Sequence, residues 1–191
     1  MAIELCFETH SLTVDNEMGI ATGWLPGELS TQGRELARAL GRRYRDRELA
    51  CVFVSDLARA VETAEIAFAG HAVPIHIDAR LRECNYGDLN GVPVTRLTAI
   101  RHQHITVPYP GGQSYQEVVD QMRSFVWDLP ASWDNRAVLV IAHSANKWAL
   151  DCLLDGRRLD ELVDAPFGWK EGWTYTVPSA SDRYTTGRNR E

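Results

Sequence analysis

The most constraining stretch of this chain is AVLVIA at 137–142, six consecutive apolar residues, three of them β-branched. An uninterrupted run of that length and composition reads as a buried strand. It leads directly into His143-Ser144, and the residues from 144 to 154 have a helical pattern. A buried strand that feeds a helix is the unit from which α/β sheets are built.

The rest of the chain repeats that unit. Residues 3–7 form a second short apolar run, and further strands are predicted over 50–54, 73–77 and, as WTYTV, 173–177. A helix is predicted over 31–45, where Leu36, Ala37, Leu40 and Tyr44 recur at helical spacing and Arg34, Arg38, Arg42 and Arg43 fall mainly on other faces. Ser55-Asp56 offers an N-cap to a helix whose stripe is Ala60, Val61, Ala64, Ala67 and Phe68. Ser114 and Glu117 have the spacing of a capping box ahead of Val118, Met122, Phe125, Val126 and Leu129. Strands alternating with helices predict an α/β fold, a three-layer sandwich with a mostly parallel central sheet. One domain is expected over 1–179, and the polar, aperiodic residues 180–191 are expected to form a flexible tail.

Charge and cysteine content narrow the partners. The 191 residues carry 20 basic and 26 acidic side chains, a net charge of −6, so nothing draws the molecule as a whole to nucleic acid or an anionic membrane. No apolar run approaches the roughly 20 residues that span a bilayer, and MAIELCFETH lacks the basic start of a signal peptide. Cys6, Cys51, Cys84 and Cys152 are too sparse for a disulfide framework and form no C-x-x-C pair. A cytoplasmic protein is expected, with no nucleic-acid or membrane partner; its oligomeric state is left open.

In open α/β sheets, ligands bind beyond the carboxyl ends of the strands. The first strand leads into Thr9-His10-Ser11, the second into Ser55-Asp56 and then Arg59, and AVLVIA into His143-Ser144. Two histidines and an arginine thus follow strand ends, and two of the three sit at helix starts, whose free N–H groups favour anions. The set suits a phosphoryl group: a guanidinium fork for its charge, one neutral imidazole as nucleophile, another as donor. Taken singly, each of these residues also has an ordinary structural reading, so spacing leaves both open. His102 and His104 have a spacing that can serve a metal, but no third ligand is specifically placed, so no metal site is expected. His71 and His76 are expected near the surface and the tryptophans in packing roles, with Trp24 in a loop near the site.

In order along the chain, these residues stand in blocks that resemble the histidine phosphatase superfamily, also called the phosphoglycerate mutase-like family, over roughly residues 3–155. His10 sits where that family's Arg-His-Gly signature has its nucleophile, and Asn16 where it has a phosphate-contacting Asn. GWLPGELSTQG (23–33) resembles the segment after the signature, and SDLARAVETA (55–64) the block that carries Arg59. LRECNYGDLNG (81–91) resembles the block carrying an acid, here Glu83; PGGQSYQEV (110–118) and VLVIAHSANKWAL (138–150), with His143, match the last two. The resemblance implies a phosphoglycerate mutase-like fold and hydrolysis of a small phosphorylated metabolite through a phosphohistidine on His10. Arg59, Asn16 and His143 would hold the phosphoryl oxygens, and Glu83 would protonate the leaving alkoxide and then activate water. No cofactor is implied. The chain is short for a mutase with inserted segments, which favours hydrolysis.

The chain departs from the family's pattern at three positions. Thr9 stands in place of the signature arginine, and Ser11 and Ser144 replace the glycines after the two histidines. Thr9 and Ser144 are expected to contribute hydrogen bonds to the phosphate but no charge. Losing one preorganised donor of this kind costs roughly 3–4 kcal/mol of barrier, or about 10²–10³ in rate. Arg80, Arg82 and Lys147 are the cations that could compensate, whereas the carboxylate of Glu8 would repel a dianion unless it faces away. The alternative is therefore a catalytically weak or inactive phospho-ligand binding protein of the same fold. A third reading is a metal-dependent hydrolase using the histidines.

Overall fold

The computed structural model describes residues 2–179. Its elements, in chain order, are β1 (Ala2–Thr9), α1 (Val14–Glu17), β2 (Ile20–Ala21), α2 (Thr31–Tyr44), β3 (Cys51–Val54), α3 (Ala58–Ala67), β4 (Ile75–Ile77), β5 (Val92–Pro93), α4 (Val94–Thr98), α5 (Tyr115–Asp128), α6 (Pro130–Trp133), β6 (Ala137–Ala142), α7 (Ser144–Leu154), α8 (Leu159–Asp164) and β7 (Trp173–Pro178). The central sheet has the order β4-β3-β6-β1-β7. Its first four strands are parallel and β7 runs antiparallel to β1. β2 and β5 form a separate two-stranded ribbon.

The apolar run that constrained the sequence reading lies at the centre. Val138 to Ala142 have no exposed surface, because β6 has a strand on each side and helices above and below. Successive side chains on a strand point to opposite faces, and the two cores divide accordingly. Cys6, Val52, Val54, Leu139 and Ile141 pack with Leu40 and Tyr44 of α2 and Ala60, Ala64 and Ala67 of α3. Leu5, Phe7, Val138 and Val140 pack with Met122, Phe125 and Val126 of α5 and Ala149 and Leu150 of α7. The expected three-layer α/β sandwich is therefore the fold. On the first face α2 and α3 touch through backbone: a Cβ at Gly41 would lie 2.0 Å from the carbonyl oxygen of Ala67.

Local expectations fare unevenly. The capping box holds: Ser114 Oγ accepts from Glu117 N at 3.2 Å, and the Glu117 carboxylate accepts from Ser114 N at 2.7 Å. Ser55-Asp56 does not cap α3, which begins later with Leu57 as N-cap; Ser55 Oγ accepts from Leu57 N at 3.3 Å, and Asp56 is drawn to Arg82 at 2.5 Å. Leu36, at helical spacing with Ala37, Leu40 and Tyr44, is 39% exposed. Trp127 and Trp169 likewise lie largely outside the core. The stretch from 11 to 30 contains α1 and β2. The expected tail at 180–191 lies outside the described residues. No described helix is long and apolar enough to cross a membrane.

Candidate active site

β3, β6 and β1 are adjacent and parallel, so their carboxyl ends lie side by side and whatever follows each strand is brought together. That topology gathers residues 10, 59 and 143. His10 continues the β1–β6 ladder, donating its backbone N–H to Ala142 O at 2.8 Å. Ser11 is held on the other side, its N–H given to Thr63 Oγ1 (2.9 Å) and its hydroxyl to Gly33 O (2.6 Å). The His10 backbone is thus fixed by three elements at once.

Arg59, in the first turn of α3, is 2% exposed. Its Nη2 donates to Gly23 O at 2.8 Å and its Nη1 to Leu25 O at 3.3 Å. Nε donates to His10 Nε2 at 3.3 Å, and Nη2 also lies 3.4 Å from His143 Nδ1. None of these partners is a carboxylate. The 23–25 loop reaches the arginine through a tight turn: Gly23 has φ +54°, and a Cβ there would lie 1.8 Å from Asn90 Oδ1.

Because a guanidinium only donates, these bonds assign both imidazole tautomers. His10 accepts at Nε2, so its hydrogen is on Nδ1, where it donates to Ser11 O at 2.7 Å. His143 accepts at Nδ1, so its hydrogen is on Nε2, a buried atom with no acceptor among the described residues. The two rings lie 5.0 Å apart. Burial and the Arg59 charge pull His10 down to about 3 despite its bond to Ser11, and the same two causes hold His143 well below the usual histidine range. Both are neutral at physiological pH. Burial also pulls Arg59 down, opposed by Glu83, Tyr86 and Asp15 at longer range.

Glu83 closes the cluster. Its Oε1 accepts from Cys84 N (2.8 Å) and Ala145 N (3.3 Å), and its Oε2 from Ser144 Oγ (3.0 Å). Trp24 fastens the same residue from the loop, donating its indole N–H to Glu83 O at 2.6 Å. His143 is the N-cap of α7, held through its N–H to Asn146 Oδ1 at 3.1 Å, and Asn146 Nδ2 returns to Arg82 O at 3.2 Å. The acid and the second histidine are therefore tied to one another by the start of α7.

Thr9, His10, Asn16, Arg59, Glu83 and Ser144 line one cavity of about 690 Å³, and His143 is wholly buried against Arg59 and His10. All seven residues singled out from the sequence are thus brought to one place. Two behave differently from expectation. The hydroxyl of Ser144 is given to Glu83, and Asn16 Oδ1 is taken by Thr13 N at 3.1 Å, which leaves its amide hydrogens as what it can offer a ligand. The three compensating cations are engaged elsewhere. Arg80 holds Asp78 and Asp128, Arg82 holds Asp56 and lies 4.5 Å over the Trp24 ring, and Lys147 bonds both oxygens of Asp151 at 2.6 and 2.5 Å. Glu8 does line the cavity, but its Oε1 is occupied by Arg43 (2.9 Å) and the Tyr44 hydroxyl (3.1 Å).

Sequence reading passed over Thr63, whose hydroxyl donates to Arg59 O at 2.7 Å while accepting from Ser11. Its place one helical turn after Arg59 was the available signal. The carbonyl cradle of Gly23 and Leu25 had none, since every residue carries a carbonyl. His104 stacks on Tyr109 at 3.9 Å, and among the described residues no three His, Cys, Asp or Glu side chains cluster in a way that could hold a metal.

Comparison with known proteins identifies the family and the fold. The family model of the histidine phosphatase superfamily, branch 1, matches residues 5–171. A glucosyl-3-phosphoglycerate phosphatase of Mycolicibacterium vanbaalenii is 32% identical over 167 residues, covering 79% of this chain and 73% of that protein. A 2,3-bisphosphoglycerate-dependent phosphoglycerate mutase of a Methylobacterium is 30% identical over 167 residues, covering 80% of each. Among solved structures, Bacillus stearothermophilus YhfR superposes with a TM-score of 0.78 at 28% identity, over 89% of this chain and 88% of that one. The matched span takes in all three strand ends and the acid between them, and the chain belongs to the histidine phosphatase superfamily.

Proposed function

We propose that this protein is a phosphomonoester hydrolase that acts through a phosphohistidine on His10, in a cytoplasmic setting that suits its four unpaired cysteines. The observation that carries this reading is the pair of opposed tautomers around Arg59: a lone pair at His10 Nε2 and an unclaimed N–H at His143 Nε2. A phosphoryl group would draw the Arg59 N–H groups to its oxygens, which frees the His10 lone pair, and would give the His143 N–H an acceptor. The His10 lone pair attacks phosphorus, an N–P bond forms, and the ester P–O bond breaks with its electron pair leaving on oxygen. That oxygen takes the proton of the Glu83 carboxyl. Arg59 and the His143 hydrogen meet the charge on the equatorial oxygens, and the Nδ1–H bond to Ser11 O stabilises the cationic ring. In the second step water attacks phosphorus, Glu83 takes its proton, and the N–P bond electrons return to Nε2. The names of the relatives, phosphatase and mutase, support the chemistry but not a particular substrate.

The test is a panel of phosphomonoesters with chelator present, run on wild type and His10→Ala. Turnover that survives chelator, disappears in His10→Ala and leaves an acid-labile phosphoryl group on the wild type is the expected result. Turnover lost to chelator would overturn it in favour of metal chemistry.

One observation favours a second reading, a phospho-ligand binder of little or no activity. Thr9 brings no charge, and none of the three candidate compensators reaches the cavity, so Arg59 is left as the unpaired cation next to His10. No turnover on any ester, with vanadate still raising the Tm, would be its signature. Thr9→Arg separates the cases further. Activity should rise about tenfold or more if the missing charge limits the rate; an unchanged or lower rate would mean the site is built around Thr9.

A further inference from the structure

Away from Arg59 the same cavity changes character. Ile20, Leu36, Val94, Leu97, Phe167 and Trp169 line it, contributed by β2, α2, α4 and the segment between α8 and β7. Three of these, Leu36 (39%), Val94 (36%) and Trp169 (57%), are among the most exposed large apolar residues described. Leu36 shares the helical spacing of Leu40 and Tyr44, yet it lines the cavity. Exposed apolar side chains drawn from separate elements into one concave wall lose nothing by solvent exclusion and gain when an apolar group covers them.

The charges in this part of the cavity do not favour a second anion. Arg43 is held by Glu8 at 2.9 Å and faces Glu171 at 3.8 Å. Arg101 donates to Thr98 Oγ1 at 2.7 Å and lies 5.5 Å over the Trp148 ring. The charges of Arg43, Arg101, Glu8 and Glu171 sum to zero beyond the phosphate end, although both glutamates face Arg43 and Arg101 Nε is buried with no acceptor among the described residues.

From this division we infer the substrate class: the monophosphate of an apolar alcohol, with its phosphate between His10 and Arg59 and its hydrocarbon body against Leu36, Val94 and Trp169. A bisphosphate, or a phosphate ester bearing a second acidic group, is disfavoured. The inference rests on the phosphate-site reading above but concerns the other half of the cavity.

The n-alkyl phosphates from ethyl to hexyl test it, because their leaving groups are chemically alike and only the body grows. Each added methylene should raise kcat/KM by up to roughly fourfold, for a gain of about tenfold or more from ethyl to hexyl. Trp169→Ala and Val94→Asp should each reduce the hexyl-to-ethyl ratio several-fold. Calorimetric binding of the same series to His10→Ala reports the wall without chemistry, and hexyl phosphate should bind more tightly than ethyl phosphate or inorganic phosphate. A flat series in both assays overturns the substrate class and leaves the phosphatase reading standing. Preference for an ester with a second phosphate or a carboxylate, abolished by Arg101→Gln, overturns it as well. Absence of turnover with a rising binding series would sink the phosphatase reading instead and keep the ligand class.

Discussion

Arg59 and Lys147 are both buried cations, 2% and 8% exposed, each within the first turns of a helix that follows a central strand. They are held in opposite ways. Arg59 is cradled by two carbonyls and two neutral imidazoles, which stabilise a cation without cancelling its charge. Lys147 is clamped by both oxygens of Asp151, which also accepts from the Tyr175 hydroxyl at 2.7 Å, so α7 is fastened to β7 and the charge is spent. The difference separates a cation kept for a ligand from one used to hold the fold. Burial by itself tells the two apart no better than helix position does.

The largest effect that tests this contrast is on stability. Lys147→Met leaves Asp151 buried without its main partner and should cost about 3–5 kcal/mol, measured by urea unfolding. Lys147→Met combined with Asp151→Leu should recover most of that, since a well-packed apolar pair replaces the ions. If the single variant instead unfolds normally but loses turnover, Lys147 serves the site and the contrast fails.

Next comes Arg59. Arg59→Gln should lower kcat/KM by about 10²–10³, some 3–4 kcal/mol of barrier. Arg59→Lys should recover only part of it, because an ammonium cannot span both carbonyls and both rings. A variant with near-normal turnover would show that the charge is not what the cavity supplies.

The neutral histidines give a pH effect of intermediate size. Unfolded histidine titrates near 6.5, whereas folded His10 titrates near 3 and His143 well below its usual range. Below pH 6.5 the unfolded chain therefore binds more protons than the folded one. Stability is fully present above that pH and is lost as pH falls toward the folded values. Between pH 7 and 5 the loss should reach about 2 kcal/mol at most for each ring, less for His10, whose edge opens on the cavity. Thermal unfolding of wild type and His143→Asn across that window measures it; an identical pH slope in the two proteins would count against a neutral buried His143.

The smallest expected effect is at Ser144, whose hydroxyl steadies the Glu83 carboxyl at 3.0 Å. Ser144→Gly should slow esters with poor leaving groups about tenfold, roughly 1.4 kcal/mol, while leaving a nitrophenyl ester, which needs no proton, nearly unchanged. Equal loss on both esters would mean that the serine supports α7 and not the acid.

Much of the site was legible because it hangs on strand ends. His10, Arg59 and His143 could be read from where apolar runs stop, and the parallel order β3-β6-β1 makes those stops neighbours. Glu83 was reachable only through the family resemblance, since it lies in an irregular segment with no period to mark it. Leu36 shows the reverse error: it fits the helical stripe of α2, but the stripe is wider than the core it covers, and its edge faces the cavity. Ser55-Asp56 looked like a cap because such caps are local, yet Asp56 is drawn to Arg82, 26 residues on.

The sequence by itself determined the alternation of strand and helix, the residues that follow each strand, and even the four-residue spacing of Lys147 and Asp151 that lets them pair. All of these depend on periodicity within a few residues. Only the tertiary structure decided which buried cation stays charged toward a ligand. The partners of Arg59 are carbonyls 36 and 34 residues away, at Gly23 and Leu25, and a histidine 84 residues away. Backbone acceptors carry no signature in sequence, so a cradle made of them exists only once the chain has folded.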